Sequence, residues 1–523
     1  MGARQLTIAN GQQATWRRGT WIGVLAALTI AVLVVHGYHP LAEDGGLYLA
    51  GVEYTLDPRL FPHYTQFVTE HLRFSVFAVV VAGVVRATHL SMAAVVFALE
   101  LVSIFSTLAG ARAIARRVFV SDLAQLGAVS LLAAWWTLPV AGTSLMLMDP
   151  YVTARSFTMP LSLFAIALAM DGWASRRSVL LCGVCLLVAF VLHPLMAAIA
   201  LGFVLVLWSQ EVVAIRSRRR NAVLLLLATL VLAGIVQAMG PPESAALKAA
   251  IVTRYYWFLS QWQWYELLGV LAPPLIFTAL LRWGRLRESG RVLCFAASAA
   301  GGIAVCVAMG FAREDMAVHA VARLQPLRVY VLVYAVMALL LGGVFVERMQ
   351  RRNAQWMMRA APFAAIAVIS AVMGWVQRET FPASIHLEVP WRAEANPNPW
   401  VQAFLWGREN TPLDAVFALD AKYVNRDGED AQTFRAIARR SAVPDYSKDG
   451  GEAAITPSLA EVWQRGAAVQ KGLSAQTDAV RDANLQETGA TWVVLLVNAP
   501  TLHACPYRND TVKVCSLVAT RGR

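Results

Sequence analysis

The chain has 523 residues, of which 58% are hydrophobic, and a formal net charge of +12; its mean hydropathy is +0.53. That apolar share exceeds the usual range of soluble domains and falls in blocks, so the chain reads as an α-helical polytopic membrane protein. Its Lys and Arg residues gather in short clusters between those blocks, the signature of cytoplasmic loops rather than of a nucleic-acid-binding face, and six Cys in so long a chain exclude a disulfide framework.

Residues 1–20 form a polar tail ending in Arg17 and Arg18, expected in the cytoplasm. The apolar stretch Trp21 to Tyr38 lacks a small-residue cleavage site and reads as a retained anchor. A hydrophilic interruption follows, residues 39–74, which puts Glu43 and Asp44 in a Gly-rich turn at the boundary of the first external loop. Carboxylates at that depth can accept a proton or hold a metal, whereas local rules alone read the pair as a turn or helix cap before Tyr48-Leu49. Phe74 to Val85 is too short to cross a hydrocarbon core of about 30 Å and is expected to be re-entrant or interfacial.

Ser91 to Ala111 then runs in to Arg112, Arg116 and Arg117, Gln125 to Ala141 runs out, and Met148 to Phe157 is an external turn carrying Asp149-Pro150 and Arg155. Thr158 to Trp173 returns to Arg176 and Arg177. Val179 to Leu192 and Leu195 to Trp208 form a pair meeting at the helix breaker His193-Pro194, with basic ends at Arg216 and Arg218 to Arg220. Cys182 and Cys185 are spaced CxxC inside an apolar helix with no His or further Cys nearby, and read as small packing residues. Leu224 to Met239 leads out to the aromatic loop Pro241 to Glu266, where Arg254, Tyr255 and Trp262 suit an interfacial belt or binding lip. Leu267 to Leu281 returns to Arg282, Arg285, Arg287 and Arg291. Val292 to Phe311 exits to a loop with Arg313, Arg323 and Arg328, Val329 to Phe345 returns to Arg348, Arg351 and Arg352, and Pro362 to Trp375 makes the last exit. This gives about eleven spans with the C-terminus outside.

Residues 378–523 change to Pro-, Asn- and charge-rich sequence with alternating strand and helix signals, expected to form a soluble extracytoplasmic α/β domain. Asp414 to Asp420, Thr491 to Val497 and Asp510 to Val518 read as strands, and Thr433 to Arg440 and Leu459 to Gln470 as helices. Cys505 and Cys515 flank the polar turn PYRND, which leaves open a hairpin disulfide or two buried thiols.

The chemistry-bearing candidates follow from this topology. Asp44 is the first choice for a base or ligand, with Glu43 beside it, and Asp149 opens onto the same face from a separate loop. The external Arg155, Arg254, Arg313, Arg323 and Arg328 run against the usual charge bias, and a guanidinium at a lipid interface is shaped to grip a phosphate. Arg328 leads, because it follows Gln325-Pro326 at the start of an inward-running helix whose first-turn amides also favour an anion.

A retained first span, a long first external loop with the acidic pair Glu43-Asp44 near its start, short links, an aromatic external loop and a C-terminal external domain together resemble the GT-C superfamily of membrane glycosyltransferases. Protein O-mannosyltransferases and the aminoarabinose and arabinosyl transferases are similar in this way. The resemblance implies a polyprenyl-phosphate-linked sugar as donor, an extracytoplasmic acceptor, and a place in the bilayer of a bacterial cell envelope, the cytoplasmic membrane. It further implies that Asp44 or Glu43 activates the acceptor hydroxyl or holds a divalent cation; Asp149, by the topology alone, is placed to converge on the same site. Two other classes fit the composition: a transporter or flippase of a lipid-linked or anionic substrate, with charged residues and helix breaks in its spans, and a noncatalytic envelope protein that binds a partner through its external domain.

Overall fold

The computed structural model describes residues 16–173, 175–214, 217–284, 286–351, 356–426 and 430–517. The tail up to residue 15, the basic residues Arg216, Arg285 and Arg352, and Val518 of the expected last strand lie outside the described residues. The fold is a polytopic helical bundle followed by a unit built on a small sheet.

Eight described helices are long and apolar enough to cross a bilayer: Arg18–His36, Met92–Val118, Pro194–Glu211, Arg218–Ala238, Trp264–Trp283, Glu288–Phe311, Ala320–Gln350 and Ala360–Thr380. A ninth is possible only if Gln66–Phe74 and Phe77–Thr88, bent by 98° at Ser75, count together as one span. The gap to eleven comes from three shorter helices, Asp122–Ala134 (13 residues), Ala154–Ala169 (16 residues) and Arg176–Leu192 (17 residues). At 1.5 Å per residue these reach only about 20 to 26 Å.

Each shortening has a local cause. The helix Asp122–Ala134 was expected to reach Ala141, but Pro139 cannot continue it, and the chain folds into a tight return in which Pro139 bridges Met146. The helix Ala154–Ala169 starts before the expected Thr158, because Thr153 and Ser156 form a reciprocal capping box that draws the Asp149 turn into its first residues. Gly127 and Gly342 lie at the crossing of Asp122–Ala134 with Tyr330–Arg351, where a Cβ on either would strike the other helix's backbone. Small residues at such crossings let membrane helices approach closely.

The C-terminal sheet has strands β1 (Val416–Ala418), β2 (Ser441–Ala442), β3 (Trp492–Leu496), β4 (Tyr507–Arg508) and β5 (Val512–Ser516) in the order β2-β1-β3-β5-β4. β1 pairs in parallel with β2 and β3, while β5 pairs antiparallel with β3 and β4. One face packs Phe404, Phe417, Phe434 and Val514, the other Leu485, Val493, Leu495 and Cys515. Cys505 and Cys515 are joined in a disulfide across the β4–β5 hairpin.

This unit is seated on the bundle rather than tethered to it. Ala453, Ala454, Leu459 and Trp463 share one buried cluster with residues of the membrane helices. Arg254 donates to the carbonyls of Ser447 (2.7 Å) and Tyr446 (3.1 Å). Arg439 pairs with the buried Glu53 at 2.7 Å, and His39 with the buried Glu388 at 2.8 Å.

Candidate functional site

A cavity of about 1210 Å³ lies where the first loop, the bundle and the C-terminal unit meet. The helix Glu43–Leu56 brings Glu43, Asp44 and Tyr48 to it, the Pro139–Tyr151 return brings Asp149, and the first turn of the next helix brings Arg155. The His193-Pro194 break, the aromatic loop with Tyr255, the turn carrying Arg328, and the helix Lys448–Ile455 complete the wall.

The acidic pair opens the helix Glu43–Leu56, as the helix-cap reading of the sequence has it, with Glu43 left-handed (φ 49°) at its start. Carboxylates suit the first turn of a helix because its amides carry a partial positive charge. Gly46 follows because the C-terminal unit docks there. A Cβ at Gly46 would overlap Thr433, whose hydroxyl donates to the Glu43 carbonyl at 3.0 Å.

At the centre is an ion network. Arg155 donates to Asp44 Oδ2 at 3.0 Å and to Asp149 Oδ2 at 2.8 Å. Lys448 reaches the other Asp44 oxygen, Oδ1, at 3.2 Å and pairs closely with Glu43. Burial acts to raise the Asp44 carboxyl, but Lys448 and Arg155 outweigh it and hold it well below the usual carboxylate range. Burial wins at Asp149 and pushes that carboxyl up despite Arg155. Lys448 is driven the other way: burial opposes its charge, yet Glu43 and Asp44 raise it further.

The remaining guanidinium groups divide by partner. Arg254 is buried and committed to the two carbonyls of the C-terminal unit, and Arg323 donates to the Ile455 carbonyl, although both border the cavity. Arg313 lies off the cavity wall in an exposed pair with Asp315. Arg328 faces the cavity with no carboxylate within ion-pair distance among the described residues, and its buried Nε has no hydrogen-bond partner. Tyr255 lines the cavity half-exposed, whereas Trp262 is buried against Gly142 and does not line it.

Lys448, Glu452 and His71 are among the wall residues that the sequence does not reveal. Lys448 and Glu452 are one turn apart on the helix Lys448–Ile455, so both face the cavity. The spacing KDGGE is visible in the sequence, but nothing in it pairs residue 448 with residue 44 across 404 positions.

The donor set does not fit a divalent cation as it stands. Both Asp44 oxygens and one Asp149 oxygen already accept from cations, and no group of three or more His, Cys, Asp or Glu among the described residues is arranged to hold a metal. A metal would have to displace Arg155 or Lys448.

No protein-family model matches the chain, and no curated protein matches it. Among solved structures it is similar to the crystal structure of the Archaeoglobus fulgidus oligosaccharyltransferase in complex with Zn and sulfate. The TM-score is 0.44 and the identity 13%, over 91% of this chain and 68% of that one.

Proposed function

We propose that the chain is a membrane glycosyltransferase that moves a sugar from a polyprenyl-phosphate lipid donor to an extracytoplasmic acceptor. One observation carries this reading: Arg328 presents a guanidinium with no carboxylate within ion-pair distance among the described residues to a cavity that is also lined by large apolar side chains. Phe74 and Phe190, each 54% exposed, are among them, with Leu192 and Leu195. A ligand with a long apolar tail and one anionic headgroup satisfies both ends.

In the transfer, the acceptor oxygen attacks the anomeric carbon of the sugar. The bond from that carbon to the phosphate oxygen breaks, and its electron pair leaves on the phosphate. Arg328 would meet the charge that develops there, which is where a fixed donor lowers the barrier most. Asp44 takes a different role from the base expected of it. A carboxylate held below its usual range by two cations is a weak proton acceptor, so its task is to fix Lys448 and Arg155 in the wall.

Binding of undecaprenyl phosphate to the purified protein in nanodiscs, read by intrinsic tryptophan fluorescence, tests the clamp. Charge-assisted hydrogen bonds are worth about 1.5–3 kcal/mol, so Arg328→Ala should weaken binding roughly 10- to 100-fold. Arg328→Lys keeps the charge but loses the planar fork and should fall between. Equal affinities for all three proteins would sink the assignment. A flippase would use the same guanidinium, and release of sugar from a polyprenyl-phosphate-linked donor separates the two.

A further inference from the structure

Glu452 and His71 face each other across the cavity wall, and the transfer described so far uses neither. Glu452 sits on the helix Lys448–Ile455, one turn beyond Lys448. Its Oε1 lies 4.0 Å from His71 Nδ1, with side chains 13% and 10% exposed. Both His71 ring nitrogens are buried without a hydrogen-bond partner. The ring is held by edge contact with Tyr48 at 5.4 Å and by the backbone at Gly51, where any added Cβ would press on Nε2. An imidazole with no hydrogen-bond partner beside a carboxylate 4.0 Å away is costly to bury, and it points to a use for both groups.

The charged and titratable groups that bear on Glu452 are His71, Tyr48 and the carboxyls of Asp449, Asp44 and Glu70. Asp449 is committed to Arg435, Asp44 to Lys448 and Arg155, and Glu70 to Arg73. Burial, reinforced by those three carboxylates, pushes the Glu452 carboxyl up to about 8. A carboxylate of that basicity accepts a proton from a hydroxyl far better than the cation-paired Asp44.

We infer that Glu452 is the general base of the reaction, with His71 as its positioning residue. The assignment rests on the glycosyltransferase reading above. The acceptor hydroxyl gives its proton to a Glu452 oxygen as the acceptor oxygen bonds to the anomeric carbon. The carbon–phosphate-oxygen bond breaks with its electron pair on the phosphate, and Glu452 then returns the proton to solvent. His71 Nδ1 is placed to close on the carboxyl as the site tightens around substrate, since such contacts are often long beforehand.

The test uses the full chain in nanodiscs, supplied with radiolabelled undecaprenyl-phosphate-linked hexoses and pentoses, water standing in for the acceptor. Sugar release by the unaltered protein should rise with pH through about 8, the value at which Glu452 becomes ionised. Glu452→Gln should lower release by about 10² to 10⁴, abolish the rising limb and leave undecaprenyl phosphate binding within twofold. His71→Ala should move the midpoint of the limb with the same binding retained, which a merely structural side chain would not do. Release by Glu452→Gln at the unaltered rate, or with its pH limb intact, overturns Glu452 as the base while the transferase reading stands. No release by the unaltered protein from any of these donors overturns that reading, and Glu452 with it.

Discussion

Asp44 accepts from Arg155 and Lys448, while Glu452 has only a neutral-capable imidazole at 4.0 Å, and this difference in partners sets opposite pH behaviour for two carboxyls in one wall. The folded value of Asp44 lies below its unfolded value, so the stability it contributes is complete above the ordinary carboxylate range, near 4, and is lost as pH falls through the lowered value. Asp44→Asn should therefore lower the unfolding temperature at neutral pH and flatten the acid-side fall, because Arg155 and Lys448 each lose a charge partner. A cost of about 1–3 kcal/mol is expected. Glu452 is raised from 4.5 to about 8, so its contribution is complete below 4.5 and lost as pH rises through 8. Glu452→Gln should gain on the unaltered protein across that interval, reaching a few degrees at alkaline pH. Thermal unfolding followed by tryptophan fluorescence from pH 3 to pH 9 checks both, and curves parallel to the unaltered protein at every pH would contradict both signs.

Helices were legible to different degrees, for physical reasons. Long apolar segments bounded by basic clusters are set by bilayer thickness and charge, so Arg18–His36, Met92–Val118 and Glu288–Phe311 fall close to their expected places. The ends of Asp122–Ala134 and Ala154–Ala169 depended on a proline and a capping box, which are local and readable but were outweighed by the hydropathy. Strands β1, β3 and β5 carry enough apolar, β-branched residues to be seen, whereas β2 and β4, two residues each, are too short to show any alternation. Asp44, Asp149, Arg155 and Arg328 could be nominated from loop position and charge. Lys448 and Glu452 could not, because their exposure to the cavity depends on which face of a soluble-looking helix docks on the bundle. By sequence the glycines after Glu43-Asp44 suit a turn, but Gly46 is a docking surface for Thr433. Gly46→Ala should overpack that contact, lowering stability by about 1–3 kcal/mol and loosening the C-terminal unit. Limited proteolysis should then cut between Gln377 and Trp400 faster than in the unaltered protein, and an unchanged rate would argue against close docking.

For the whole molecule, the ion network fixes the parity of the chain through the bilayer. Asp44 and Asp149 meet the same Arg155 guanidinium, so the chain crosses an even number of times between them. Met92–Val118 supplies one crossing; we assign the other to the short helix Asp122–Ala134, which by its own length falls below a span, rather than to the bent pair Gln66–Phe74 and Phe77–Thr88. A contact supports this: Arg86, near the end of the bent pair, donates to the Thr55 carbonyl of the first loop at 2.6 Å. The opposite end of the bundle gathers the basic clusters, where Arg117 pairs with Asp171 and accepts at its carbonyl from Ser289, and Arg218 pairs with Glu288. By the positive-inside rule we propose that this end is cytoplasmic, with the Cys505–Cys515 disulfide on the opposite, oxidising side. Single cysteines at Arg59, His89 and Leu502, all exposed, should then react with a membrane-impermeant maleimide from outside intact cells, in a background with the exposed Cys306 replaced. A cysteine at Ser217 should react only after permeabilisation. Labelling of His89 with the Ser217 pattern would make the bent pair the second crossing and leave Asp122–Ala134 as a helix that does not span, with Asp44 and Asp149 still on one guanidinium.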